Sequence, residues 1–310
     1  VQNADRIGSQ VTVSGDSRIT RVGKVIRSCR LDEIGQLLNV LGGSMSFVGT
    51  RPEVPKYVAR YTPEMMATLL LPAGVTSEAS IRYKDEAERE LMRAASRIND
   101  TVMERAAAFL QEGITEREVA DYIISQYAAE GCDAVAFQPI VSFGAHAADP
   151  HHEADQTRLK AGDCIVIDMG CRKDRYCSDM TRTFFCKTAD PKYAAIHDLV
   201  RSANEIAEGM IRPGIPLREL DIAAREHIAS AGYGEYFTHR LGHFIGQTEH
   251  EKGDVSAVTE LVAKPGMIFS IEPGVYLPGQ FGVRVEDLVL VTEEGCEILN
   301  HVDKHWKTVG

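Results

Sequence analysis

Four carboxylates stand where carboxylates are costly. Asp168 falls in CIVIDMG, Asp179 in YCSDMTRTFF, Glu272 in MIFSIEPG and Glu286 in VRVEDLVLV, each within an apolar run that reads as a strand. An ionised carboxylate withdrawn from water is strongly destabilising unless it is paired or bound to a cation. One such acid reads as a salt-bridged core residue. Four need a common cause. With RKDR as the turn of a first hairpin, Asp168 is expected opposite Asp179; with a turn at Gly279, Glu272 is expected opposite Glu286. Directly opposed residues keep their Cβ atoms about 4.5–5.5 Å apart on one sheet face. Like charges at that separation repel, and a divalent cation turns the repulsion into coordination. An oxygen-rich set of this kind suits Mn, Fe, Co or Zn in a hydrolytic role, and two ions can share bridging acids.

Histidines lie between the two hairpins. His239 and His243 occur in HRLGHFIG, and His250 follows in QTEHEK. A lone histidine is more often structural than a ligand, but three in one short Gly-rich stretch between the acidic hairpins point to chemistry. His151 and His152 follow Pro150, just ahead of the first hairpin. Cys164, Cys171, Cys177 and Cys186 flank the acids, and their apolar neighbours assign them to packing. No CxxC pair, GxSxG elbow or Gly-rich phosphate loop is present.

The elements that must position these residues follow from periodicity. A charged helix is expected from Asp85 to about Gly113. Thr115 with Glu118 forms a capping box for a second helix ending near Gly131. Helices are expected near 191–210 and 216–231, the latter introduced by Pro213 and Pro216. Helices followed by a hairpin occur twice, which suggests a duplicated α+β unit. Ahead of these lie an amphipathic helix from Leu31 to Leu41, ended by Gly42-Gly43, and a short helix near 63–71.

Composition bounds the partners. The chain has 310 residues, 44% apolar and 25% charged, with a formal net charge of −11, enough for one large domain or two modest ones. Residues 1–87 are slightly basic and the remainder strongly acidic, which argues against nucleic acid as a partner. No apolar run is long enough for a membrane helix. The opening VQNADRIGSQ is polar and begins with Val1, so the chain reads as a fragment, and any targeting or membrane segment upstream is out of view. Seven scattered cysteines fit a reducing cytoplasm.

Residues 88–310 resemble the pita-bread metallopeptidases: aminopeptidase P, prolidase, methionine aminopeptidase and the non-metal creatinase. ADPHH, IDMGCRKDRYCSDMTRTF, HRLGHFIG, FSIEPGVY and GVRVED appear in family order. The resemblance implies an α+β pita-bread catalytic domain with two divalent ions, most commonly manganese, with cobalt or zinc as alternatives. It implies five ligands: Asp168, Asp179, His243, Glu272 and Glu286. Asp179 and Glu286 would bridge, Asp168 would hold one ion, and His243 with Glu272 the other. Glu272 would shuttle a proton. His151, His239 and His250 match histidines around the substrate, with His250 or His239 stabilising the oxyanion. Arg284 matches the arginine that orients the acids in the proline-directed branch. VRVED and the HRLGH pair favour that branch, with release of a residue ahead of proline from a peptide substrate. Methionine aminopeptidase activity is the alternative within the class, and a binding module without turnover lies outside it. HEKGD departs from the usual pattern, in which proline follows HE two residues on, and this alters the substrate rim.

Residues 1–87 resemble the carboxyl-terminal part of bacterial sugar transferases. The motif is DSRITRVGKVIRSCRLDEIGQLLNVLGGSMSFVGTRPE, with Gly35 and Thr50 where that family usually has proline. The resemblance implies a small, incomplete α/β segment whose membrane helix lies upstream of Val1. Arg18, Arg21, Arg27, Arg30 and Arg51, which could once have met phosphates, are read here as solvated or packing residues. In the proline-directed peptidases a different amino-terminal domain precedes the catalytic one and often builds a homodimer. Here the transferase-like piece takes its place, so a fused or mis-joined chain is expected, with a phosphoglycosyl transferase carrying a passenger peptidase as the alternative.

Overall fold

The computed structural model describes residues 46–48, 74–76 and 83–310. The chain divides into two units, Val1–Ser80 and Ile81–Gly310. Of the first, β1 (Ser46–Val48) and β2 (Gly74–Thr76) are described; they pair in parallel, Ser46 with Gly74 and Val48 with Thr76. The expected helices at 31–41 and 63–71, and the five arginines, lie outside the described residues.

The second unit is α+β. In it α1 (Glu86–Phe109) and α2 (Glu116–Ala129) precede β3 (Ala134–Val135), β4 (Ile140–Phe143), β5 (Cys164–Met169), β6 (Cys171–Lys173), β7 (Tyr176–Cys177) and β8 (Met180–Cys186). Then α3 (Pro191–Met210) and α4 (Leu217–Ser230) precede β9 (Gly242–His243), β10 (Asp254–Val255), β11 (Ile268–Ile271), β12 (Gly274–Leu277), β13 (Phe281–Arg284), β14 (Asp287–Val291), β15 (Cys296–Ile298) and β16 (Thr308–Val309). The expected repetition of two helices and a hairpin is present.

Local sequence explains the helices. Asp85 accepts from the Glu88 amide while the Glu88 side chain accepts from the Asp85 amide, and Thr115 does the same with Glu118. Pro191 opens α3 at the one position where its missing N–H costs nothing, behind an Asp190 cap. Helix α1 buries Met92, Ala95, Asn99, Val102, Met103 and Ala106, one stripe at helical spacing.

Each helix pair covers its own sheet. Residues of α1 and α2 pack with Ile165, Ile167 and Met169 of β5 and with Met180, Phe184 and Cys186 of β8. Residues of α3 and α4 pack with β11 to β14, and with Cys164, Val166 and Phe185. Alternation along β5 therefore sends one face to the first helix pair and the other toward the second half of the unit. Asp168 belongs to that inner face, with Cys164 and Val166. Two half-cores meet across the strands that carry the acids.

The second hairpin has the expected register. Gly274 pairs with Arg284 and Ile271 with Asp287, so Glu272 and Glu286 stand in register in the gap between the two paired segments. The first hairpin departs from expectation. Its two-residue turn is Asp174-Arg175, both at positive φ, one residue later than the sequence suggested. Every cross-strand pair shifts accordingly, and Asp168 faces Thr181 rather than Asp179. Asp179 precedes β8, just beyond the paired segment.

Candidate metal centre

Asp168 stands at the end of β5 and Asp179 at the entry to β8. His243 closes β9, Glu272 follows β11, and Glu286 links β13 to β14. All five line one cavity of about 590 Å³ together with His151, His239, His250 and Arg284. The structure thus brings together these nine residues from segments far apart along the chain, and leaves out His152, whose Nε2 lies 2.8 Å from Glu116 Oε2.

Within the cavity, ligand atoms of Asp179, His243 and Glu286 all lie within 4.8 Å of one another. His243 Nε2 is 3.4 Å from Asp179 Oδ2 and 3.7 Å from Glu272 Oε1. Its Nδ1 lies 3.3 Å from the Phe244 carbonyl, which leaves Nε2 aimed at the acids. Backbone contacts fix these positions. The His243 amide donates to Ser270 Oγ, which itself donates to Glu272 Oε1, and the Glu272 amide donates to the Leu241 carbonyl. Gly242 permits this approach, because a Cβ there would stand 1.8 Å from the Ser270 carbonyl oxygen.

Arg284 organises the other side. Its Nη2 donates to Asp168 Oδ2 at 2.5 Å, Nε to Thr181 Oγ1 at 3.0 Å and Nη1 to Tyr276 Oη at 2.9 Å. Thr181 in turn donates to Glu286 Oε2 at 2.7 Å. Tyr276 also meets His239 Nε2 at 2.9 Å. Tyr276 and Thr181 are two residues that reading the sequence missed. Both lie inside the quoted motifs, and Thr181 shows itself only through the corrected register. Gly274 is the signal for Tyr276, since a Cβ there would lie 2.5 Å from its hydroxyl.

The histidines differ in setting. The His250 ring stands 4.1 Å from that of His243, edge to face, and is half exposed. His151 is exposed at the cavity mouth, its amide bonded to Asp149. His239 has both ring nitrogens engaged, Nδ1 with the Arg240 carbonyl at 2.8 Å and Nε2 with Tyr276. Glu249 and Arg240, which the sequence did not single out, also line the cavity. The four flanking cysteines are buried, and burial pushes the thiols of Cys164 up to about 12 and Cys177 up to about 11, as packing residues require.

The electrostatics are those of anions held together. Burial, then the neighbouring Asp168, raise the Asp179 carboxyl far above its usual range; burial, then Asp179 and Glu272, do the same to Glu286. Burial pushes Glu272 up to about 7. Asp168 Oδ1 and Asp179 Oδ1 are buried with no hydrogen-bond partner. Orphaned carboxylate oxygens among mutually repelling acids, with an imidazole nitrogen turned inward, are the donor set that divalent cations satisfy. The residues present fit a dinuclear centre.

Known proteins share this fold. The chain superposes on a prolidase from Thermococcus sibiricus at a TM-score of 0.75, with 33% identity, covering 84% of this chain and 71% of that one. An X-Pro aminopeptidase from Thermotoga maritima gives 0.74 at 32% identity, covering 81% and 74%. Dipeptidase PepE from Mycobacterium ulcerans gives 0.76 at 37%, covering 88% and 74%. An uncharacterized peptidase of Staphylococcus aureus is 42% identical over 221 residues, which are 71% of this chain; the chain spans 63% of that relative's length. The architecture is the pita-bread fold that the motifs implied. Residues 1–111 match bacterial sugar transferases, in keeping with the amino-terminal motifs. Residues 90–293 match metallopeptidase family M24. That match spans well over half of the chain and takes in Asp168, Asp179, His243, Glu272 and Glu286 alike, so this chain belongs to metallopeptidase family M24.

Proposed function

We propose that the chain hydrolyses the peptide bond between an amino-terminal residue and proline, as an Xaa-Pro aminopeptidase or dipeptidase with two divalent ions. The observation that carries the reading is the convergence of Asp168, Asp179, His243, Glu272 and Glu286 with Arg284 in one cavity. Asp179 and Glu286 would be shared by both ions, Asp168 would hold one, and His243 with Glu272 the other. Manganese is the proposed metal, with cobalt and zinc as alternatives. When bound, two such ions supply Lewis-acid polarisation and lower the pKa of water enough for attack at neutral pH.

The protein groups supply orientation and proton handling. Glu272 takes a proton from the attacking water and returns it to the leaving imino nitrogen of proline. His239 is neutral at working pH because burial holds it near 4, and at the half-exposed His250 partial burial and the neighbouring His243 act in the same direction. They are not equivalent. The Arg240 carbonyl can only accept, so His239 carries its proton on Nδ1 and receives the Tyr276 hydroxyl at Nε2. No N–H of His239 is left for a substrate. His250 is therefore the donor to the carbonyl oxygen as it gains charge, and His239 supports Tyr276 and Arg284. His151 contacts the substrate at the cavity mouth.

The remaining assignments rest on the same reading. The catalytic motifs lie within residues 88–310, residues 1–87 carry a sugar transferase-like segment, and the assembly is a homodimer in the cytoplasm. Among the described residues no helix is long and apolar enough to cross a membrane. The deciding experiment is turnover of the manganese-loaded chain on Ala-Pro, Ala-Pro-Ala and Met-Ala-Ser, with Asp179→Ala as control. Cleavage of Ala-Pro alone makes it a dipeptidase, and cleavage of the tripeptide ahead of proline an aminopeptidase. Preference for Met-Ala-Ser, or metal binding without cleavage, overturns the proposal.

A further inference from the structure

A second convergence of ligand-type side chains lies apart from the four acids and one histidine described above. Glu116, in the first turn of α2, is fully buried. Its Oε1 accepts from the Phe143 amide at 2.8 Å and stands 3.0 Å from His146 Nδ1; its Oε2 accepts from the Asp155 amide at 3.1 Å and stands 2.8 Å from His152 Nε2. The two imidazole rings lie 4.2 Å apart, centre to centre. One ligand atom from each of Glu116, His146, His152 and Asp155 lies within 4.8 Å of all the others.

Two features exceed what a hydrogen-bonded anchor requires. Two backbone amides already occupy one lone pair on each Glu116 oxygen, and the remaining lone pairs both face imidazole nitrogens. A second carboxylate, Asp155, joins the group from the surface; its Oδ1 accepts from the Thr157 amide at 2.7 Å, and a cation shared by the two acids offsets the repulsion between them. An ion bonded at about 2.1 Å to nitrogen and oxygen spans an edge of about 3.0 Å in octahedral coordination and about 3.4 Å in tetrahedral coordination, and the two N···O separations here are 3.0 and 2.8 Å. Access is open as well: the His146 side chain is 35% exposed and Asp155 lies at the surface, so water can complete the coordination.

We propose that Glu116, His146, His152 and Asp155 form a third cation site, which takes a borderline transition-metal ion, Zn2+ or Co2+, through two imidazole nitrogens and carboxylate oxygens. Mixed imidazole and carboxylate ligation selects such ions over Mg2+ and Ca2+. Each histidine would bind through the ring nitrogen that faces Glu116, with its N–H on the other ring nitrogen. The site ties the first turn of α2 to the segment 146–155, which carries His151 into the catalytic cavity. Occupancy therefore stiffens the segment that presents His151. Its four ligands bind whether or not the dinuclear centre acts on proline peptides.

Equilibrium dialysis of the whole chain against Co2+, reading bound cobalt per chain and its visible absorption, tests it. Wild type is expected to hold three ions, and the His146→Ala/His152→Ala chain two. Asp179→Asn/Glu286→Gln, which disables the dinuclear centre, is expected to keep one ion, and to lose it when His146→Ala is added. Equal cobalt in wild type and in the double histidine variant overturns the proposal, as does absence of cobalt from the dinuclear-disabled chain. Should the double variant fail to fold, the part-exposed His146→Ala alone carries the test. Its third ion is expected to bind at least about ten-fold more weakly, and unchanged affinity rejects the site.

Discussion

Arg284 and Asp168, 116 residues apart in sequence, meet at 2.5 Å between Nη2 and Oδ2. The pair joins β13 to β5, and so the second half of the catalytic unit to the first. The same guanidinium holds Thr181, which holds Glu286, and Tyr276, which holds His239. One planar cation thus sets the positions of two proposed metal ligands and one histidine. Lysine cannot repeat this, because a point charge lacks the fork that reaches three acceptors. Arg284→Lys is expected to lower kcat/KM by about 10–100-fold through misplaced ligands. Arg284→Met, which leaves Asp168 without its partner, is expected to cost about 3–5 kcal/mol of stability in the metal-free protein. Steady-state kinetics and urea unfolding check the two.

The raised carboxyls make metal binding depend on pH. In the metal-free cavity Asp179, Glu286 and Glu272 hold protons at pH values where free carboxylic acids are ionised, Glu272 up to about 7. Those protons must leave before an ion binds, so affinity falls as pH falls through and below 7. Calorimetric titration with Mn2+ is expected to show proton release at pH 6.5 and tighter binding at pH 8 than at pH 6. Equal affinity at both would mean that the acids are already ionised. Asp179→Asn removes one member of the repelling group. The metal-free variant is expected to be at least as stable as wild type while its activity is lost.

Much of this site is legible in the amino-acid sequence. Acids within apolar strands are an unusual feature, and only a shared cation explains four of them. Hairpin symmetry about Gly279 places Glu272 and Glu286 correctly, because a single glycine at positive φ marks that turn. The first hairpin misleads because Asp174 and Arg175, neither a glycine, adopt positive φ, and a one-residue shift of the turn moves each partner by two. Tyr276 and the grouping of Glu116 with His146 and His152 are not legible in this way. Their contacts span distances along the chain that no local pattern encodes.

His250 and His239 are expected to separate in kinetics. His250 has a ring free to meet the substrate, so His250→Ala is expected to lower kcat by about 10²-fold or more, as loss of an oxyanion donor does. His239 works through Tyr276. Tyr276→Phe is therefore expected to reproduce most of the loss in His239→Ala, and the double variant to be little worse than either alone. Additive losses would show that His239 touches the substrate itself.

The start of the catalytic unit is open to a direct comparison. Lys84 is buried, with its Nζ 2.7 Å from Glu251, and its amide donates to the Gly266 carbonyl at 2.8 Å. Asp85 then caps α1 through the box with Glu88. A chain cut at residue 88, where the family motifs begin, loses both the buried pair and the cap, while one cut at residue 81 keeps them. Leaving Glu251 without its cation costs about 3–5 kcal/mol, and losing the cap about 1 kcal/mol more. Residues 81–310 are therefore expected to unfold at clearly higher urea concentration than residues 88–310. Glu251 lies beside Gly246 and Gln247, on the loop that carries His250, so the shorter chain is expected to lose turnover as well as stability. Coincident unfolding curves would place the functional boundary at residue 88, and would make the Lys84–Glu251 pair neutral to the fold.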